Sequence, residues 1–207
     1  MPATSPIIPG QRLGVLLVVS GPSGSGKTTL CRKLADTGEA VYSVSCTTRA
    51  PRPGEVHGRD YYFLSVAEFQ QHIARDELFE YAEVHGNYYG TPKIYVKQNL
   101  AKGVDVVMDI DIQGAAQVRS CHDALIQRCL TDVFILPPSV DELRDRLSGR
   151  GTETPERLAL RLGNALDEIA RWPDYEYALV SSSRESDLER FRALLLAARM
   201  KAVRLED

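Results

Sequence analysis

Residues 14–36 read GVLLVVSGPSGSGKTTLCRKLAD. Gly14–Ser20 is a β-branched apolar run suited to a strand buried on both faces, and Lys27–Asp36 has the composition of a helix. Between them, Gly21-Pro22-Ser23-Gly24-Ser25-Gly26-Lys27-Thr28 matches G-x-x-x-x-G-K-[ST], in the strand-to-helix setting that gives this pattern meaning. Glycines allow consecutive backbone N–H groups to turn inward around phosphate oxygens, and the helix start adds its positive end. Lys27 would reach the β- and γ-phosphates, and the Thr28 hydroxyl would ligate Mg²⁺. The segment therefore predicts nucleotide binding. Alone it does not separate a GTPase, an ATPase motor, a transporter subunit and a small-molecule kinase.

Outward from this segment, apolar runs alternate with helical periods. VYSVSC (41–46), VDVVMDI (104–110), DVFILP (132–137) and YEYALV (175–180) read as strands, and a last helix is expected over about 185–203. Such alternation predicts a three-layer α/β sandwich on a mostly parallel sheet. VVMDID ends a buried strand on Asp109, placed as a carboxylate that could bind magnesium-bound water. Asp111 lies two residues on and would leave the same strand face while the chain stays extended. A strand-end Asp serves equally as a helix N-cap.

Two segments break the rhythm. One, from Thr47 to Lys102, holds the Pro/Arg-rich TTRAPRPGEVHGRD, the Tyr-rich YYF and GNYYGTP, and between them SVAE (65–68), a capping-box helix start. The other, 137–170, reads as two helices around a polar Gly/Thr turn, with Thr154 as N-cap and Pro155 in the first turn. Both look like inserts at the carboxyl edge of the sheet, where open α/β folds bind ligands. Residues 1–12 read as a flexible tail.

The chain has 207 residues, 43% of them apolar and 26% charged, enough for one packed core. A net charge of −3 argues against a general nucleic-acid binder. No apolar run approaches the ~18 residues of a membrane span, and MPATSPIIPGQR lacks the form of a secretion signal. Cys31, Cys46, Cys121 and Cys129 form no C-x-x-C pair, so four reduced thiols in a cytoplasmic protein are expected.

The sequence resembles guanylate kinase, the GMP kinase of the nucleoside monophosphate kinases. The resemblance runs from about Gly14 to Phe191 and rests on separated motifs in order: SGPSGSGKTT, SVSCTTRAPRPGEVHGRDYYF, LFEYAEVHGNYYGTP, DIDIQG and LPPSVDELRDRLSGRGTET, then a downstream RL. It implies a core (13–44, 103–136 and 171–207), a GMP-binding insert (45–102) and a lid (137–170). Gly21, Pro22, Ser23, Gly24, Ser25, Gly26, Lys27, Thr28 and Thr29 would bind ATP, with Thr28 and, through water, Asp109 serving Mg²⁺. Arg49 and Arg52, helped by Tyr61 and Tyr89, would grip the GMP phosphate. Glu80 would accept from guanine N1–H and the N2 amine, with Ser45, Thr91 and Asp111 completing that edge. Arg146, Arg150 and Arg161 would close over the transferred group as catalytic residues beside Lys27.

The implied reaction is transfer from ATP to GMP or dGMP, with no nucleic-acid or membrane partner; monomer and homo-oligomer both stay open. The alternatives are a non-catalytic scaffold of the same family, which Lys27, Thr28, Asp109 and the lid arginines argue against, and a P-loop kinase for another monophosphate. Three departures from the family pattern stand out. Ser181-Ser182-Ser183 replaces an Asn-Asp run near the adenine, Cys46 stands where Ser is familiar, and His57 and Arg59 occupy variable spots. His72, His85 and His122 read as ordinary surface or half-buried residues.

Overall fold

A computed structural model describes residues 11–84, 86–148 and 155–206. The chain starts with β1 (Gln11–Arg12), β2 (Leu16–Ser20), α1 (Lys27–Asp36) and β3 (Val41–Tyr42). It then builds β4 (Cys46–Thr47), β5 (Tyr62–Phe63), α2 (Val66–Ala74), β6 (Leu78–Val84) and β7 (Asn87–Pro92). There follow α3 (Lys93–Ala101), β8 (Val106–Asp109), α4 (Ile112–Arg119), α5 (Ala124–Cys129) and β9 (Leu130–Leu136). The last elements are α6 (Val140–Ser148), α7 (Pro155–Ile169), β10 (Tyr177–Val180), α8 (Arg184–Arg199) and β11 (Leu205–Glu206).

The core sheet is wholly parallel, in the order β10-β9-β2-β8-β3. Every residue of β2 is buried, and its neighbours alternate between two faces. Leu16 and Val18 join Leu100, Val118 and Ile126 from α3, α4 and α5; Leu17 and Val19 join Leu34 and Phe191 from α1 and α8. Helices therefore cover both faces, the three-layer arrangement expected of such runs. From β2 the chain passes to β3 and returns through β8 on one side, then crosses to β9 on the other. The carboxyl end of β2 is thus a topological switch point, where a ligand crevice forms.

The expected single strand 41–46 is two strands in two sheets. Val41 and Tyr42 pair with Val106 and Val107, and the ladder ends at Ser43 N–H on Val107 O (2.9 Å). That ladder stops two residues before β8 itself ends at Asp109, and the chain pairs Cys46 and Thr47 with Gly90 and Tyr89 instead. The second sheet, β5-β4-β7-β6, has its own small core of Cys46, Phe69 and Leu78. Ser65 and Glu68 form the capping box that starts α2. α3 lies within the expected 45–102 insert and buries Val96 and Leu100 in the main core. α6 and α7 pack on each other through Leu143, Leu147 and Ala165; residues 149–154, with Arg150 and Thr154, lie outside the described residues, as does His85.

Two residues of the expected 1–12 tail are in a strand. Gln11 and Arg12 pair with Glu206 and Leu205, while residues 1–10 lie outside the described set. The reason is a buried carboxylate: Asp105 accepts both guanidinium nitrogens of Arg12 (2.7 and 3.1 Å), Arg199 Nε (2.6 Å) and the Val15 N–H (2.8 Å). Asp105→Ala strands two arginines and a buried amide, so unfolding free energy should fall by about 3 kcal/mol. Urea denaturation checks this; a loss under about 1 kcal/mol contradicts it.

Candidate active site

The phosphate-loop segment turns sharply off β2. A Cβ on Gly21 would meet Ile135 O at 2.4 Å, so the loop lies too close to β9 for any side chain there. Gly26 adopts φ +96° immediately before α1, a conformation that favours glycine, and no side chain caps the helix. The first-turn N–H groups are thereby left for an anion. Lys27 Nζ spans the loop, donating to Gly21 O (2.6 Å) and Pro22 O (3.1 Å). Ser25 Oγ is buried in the loop without a hydrogen-bond partner.

The Thr28 hydroxyl donates to Asp109 Oδ2, because the register of β2 with β8 sets Val19 opposite Asp109. Two hard oxygen groups therefore stand together beside the loop. Among the described residues no group of three or more His, Cys, Asp or Glu could hold a metal. A divalent cation with few protein ligands, completed by water and phosphate, fits this pair better than an all-protein cage.

A cavity of about 690 Å³ opens from the loop. Its walls combine Lys27 and Thr28, Asp109 and Asp111, Ser45, Tyr61, Glu80 and Tyr89 from the 45–92 segment, and Arg146 from α6. Glu80 is 4% exposed. A register irregularity between Leu78 and Tyr81 breaks the alternation of β6, so Leu78, Phe79 and Glu80 are all buried, each in different surroundings. Thr91 Oγ1 donates to Glu80 Oε1 (2.6 Å), and Ser45 Oγ stands 3.3 Å from Thr91 Oγ1. Burial pushes the Glu80 carboxyl from an ordinary 4.5 to about 7; the Thr91 hydroxyl opposes the shift and the Asp111 charge adds to it.

Asp111 is not on a strand face, contrary to the extended-chain reading. β8 stops at Asp109, and Asp111 caps α4, its Oδ1 accepting the Gly114 N–H (2.8 Å). The same residue still lines the cavity. Arg49 is turned onto Glu55, giving both carboxylate oxygens a hydrogen bond (2.9 and 3.0 Å), and lies over the Tyr61 ring. Arg52 is exposed, with its backbone N–H on Glu55 Oε2 (2.7 Å). From α6 and α7, Arg146 Nη1 reaches Gly24 O (3.3 Å) and Arg161 Nη2 reaches Ser23 Oγ (3.1 Å).

These features unite a phosphate loop, a metal-fitting oxygen pair and a buried carboxylate in one cavity. The family model described as guanylate kinase matches residues 14–198. The chain belongs to the guanylate kinase family. It is similar to the guanylate kinase of Maricaulis maris, at 48% identity over 202 residues, covering 97% of this chain and 90% of that protein. The guanylate kinase of Symbiobacterium thermophilum is 45% identical over 198 residues, covering 95% and 92%. Among solved structures, the guanylate kinase from Anaplasma phagocytophilum superposes with a TM-score of 0.77 at 35% identity, over 94% of this chain and 91% of that one.

Against the guanylate kinase pattern, the serine run has a structural explanation. Ser181 is buried and donates to Asp187 Oδ2 (2.7 Å), the Ser182 N–H binds Asp187 Oδ1 (2.9 Å), and Ser183 caps α8. Sequence reasoning missed four contributors. Glu55, which holds Arg49, was visible as the acid of PRPGE. Gly114 was visible in DIDIQG; a Cβ there would meet Glu80 Oε2 at 2.8 Å. Gln117 pins the Tyr81 backbone through both ends of its amide (3.1 and 2.9 Å) and had no signal. Glu168 lines the cavity from α7, seven residues after Arg161 and so on the same helix face. Burial raises its carboxyl, against the pull of Lys27 and with the push of Asp111.

Proposed function

We propose that this chain transfers the γ-phosphoryl group of ATP to GMP, giving ADP and GDP, and accepts dGMP as well. The observation that carries the reading is the single cavity running from the phosphate loop to the Glu80–Thr91–Ser45 wall. Phosphoryl transfer asks little covalent chemistry of protein; it needs two anions held in line, water excluded and charge neutralised. The loop amides and Lys27 hold the donor phosphates. Arg49, Arg52, Tyr61 and Tyr89 hold the acceptor phosphate by charge-assisted bonds. Glu80, Ser45, Thr91 and Asp111 read guanine, and Arg146, Arg150 and Arg161 close over the transferred group. Thr28 and Asp109 would hold Mg²⁺, which offsets phosphate charge when bound. No phosphoenzyme and no dedicated general base are needed.

The Cys31, Cys46, Cys121 and Cys129 thiols are in keeping with a cytoplasmic location, and among the described residues no helix is long and apolar enough to cross a membrane. The test is a coupled ADP-release assay with ATP–Mg²⁺ against GMP, dGMP, AMP, CMP and UMP. Turnover with GMP far above AMP, CMP and UMP is expected. Absence of turnover with all of them, alongside measurable peptide binding, identifies a scaffold instead.

Two further results follow from named groups. Arg161→Ala should lower kcat at least about tenfold with little change in GMP affinity, because the group acts in the closed, charge-developing state. An effect confined to KM for GMP contradicts that role. Glu80 must be a carboxylate to accept from guanine, so KM for GMP should rise as pH falls below about 7, approaching tenfold per unit, and level off above. The linkage has the opposite sign for folding. The folded carboxyl holds its proton up to about 7 and the unfolded one only to about 4.5, so the contribution to stability falls as pH rises through that window. GMP titration across the range checks the first sign and urea denaturation the second.

A further inference from the structure

Two phosphate-binding loops must face each other for in-line transfer, yet they belong to different sheets. The insert's far edge is fastened to the core by Gln117 on the Tyr81 backbone. The loop of residues 48–61, which carries Arg49, Arg52 and Tyr61, meets the core differently. Arg32 of α1 donates through Nη2 to Asp60 Oδ1 (2.9 Å). The second oxygen of Asp60 accepts the Val56 N–H (2.9 Å) and Arg59 Nε (3.0 Å), so one carboxylate both ties the loop's own turn and joins it to the helix.

Arg32 stands at the exit from the core. Its guanidinium lies 5.0 Å above the ring of Tyr42, the last residue of β3, after which the chain leaves for the insert. Arg32 follows Lys27 by five residues on one helix, and Asp60 immediately precedes Tyr61, which lines the cavity. Arg49 stacks over Tyr61, and Glu55 holds Arg49. A contiguous path thus runs from the helix that begins at Lys27, through Arg32 and Asp60, to Tyr61 and Arg49.

We propose that Arg32 is a positioning residue which, through Asp60, holds the acceptor-phosphate loop in register with the donor-phosphate loop. This rests on the reading of the chain as a GMP kinase. Arg32 touches neither substrate; it acts by limiting the orientations of Tyr61 and Arg49, a requirement that phosphoryl transfer imposes on both anions. The pair is half-exposed, with side-chain exposures of 35% and 17%, so its effect is bounded by what such pairs contribute.

The test uses the full chain with Arg32→Met, which keeps an apolar stem over Tyr42, with Asp60→Asn, which keeps an acceptor for Val56 N–H, and with both together. KM for GMP should rise about fivefold in each single variant, the upper end for an ion pair of this exposure. KM for ATP should stay within about twofold, and the double variant should be no worse than either single, the mark of one shared interaction. If Asp60→Asn fails to fold, Arg32→Met alone decides, backed by direct GMP titration. A KM for GMP within about twofold of the parent in Arg32→Met, a parallel rise in both KM values, or multiplying effects in the double variant each overturn the proposal. Parent turnover separates the two levels: active parent with unaffected variants removes only the role of Arg32, while a parent inactive on GMP removes the functional reading with it.

Discussion

Lys27→Ala should lower kcat by at least about 100-fold while the melting temperature stays nearly unchanged. The ammonium is the fixed cation of the phosphate loop, held by the Gly21 and Pro22 carbonyls at 2.6 and 3.1 Å. Substitution loses those two bonds in a half-exposed loop, and Lys27 is not among the core residues of α1, which are Leu30, Cys31 and Leu34. A preorganised charge acts on the spreading negative charge of the transition state without reorganising at the moment of reaction, so its loss falls mainly on kcat. Steady-state kinetics with a thermal melt on the same preparation check both halves. Near-normal turnover removes the phosphate-loop assignment; lost turnover with a lowered melting temperature shows instead that the loop had been holding the fold.

Glu80→Gln should raise KM for GMP by roughly 100-fold or more, leave KM for ATP unchanged and narrow the preference for GMP over AMP. Guanine presents two adjacent donors, N1–H and N2–H₂, and a carboxylate presents two acceptors at matching separation. Adenine offers an acceptor and a C–H on that edge, leaving a buried carboxylate unpaired. The amide keeps the size of Glu80 but sets a donor against a guanine donor. The carboxylate is already placed by its neighbours: Oε1 takes the Thr91 hydroxyl, and the other oxygen packs against Gly114, where any Cβ would come within 2.8 Å of it. Kinetics with GMP and AMP on the parent, Glu80→Gln and Asp111→Asn decide it. If the amide variant keeps the preference while Asp111→Asn collapses it, guanine is read from the start of α4, not from the insert.

What the sequence determined by itself was local. The boundaries of α1, Lys27 to Asp36, follow from a glycine loop and a helical period within one short stretch, and the capping box at Ser65 and Glu68 from residues three apart. The alternation of apolar runs also determined a sheet covered on both faces, because burial on two sides shows as an uninterrupted apolar strand. Tertiary structure alone decided the rest. Whether 41–46 is one strand or two depends on the partner that Cys46 and Thr47 find in Gly90 and Tyr89, more than forty residues away. Whether residues 11–12 are tail or strand depends on Asp105. Asp111 is a cap because β8 ends two residues earlier. Above all, Glu80 stands out in LFEYAE only through the family resemblance; its burial and its carboxyl near 7 arise where a bulged strand meets Gly114, Thr91 and Asp111, none of them within ten residues. Desolvation and Coulomb interaction depend on distance in space, and the chain order carries that distance only where the fold is local.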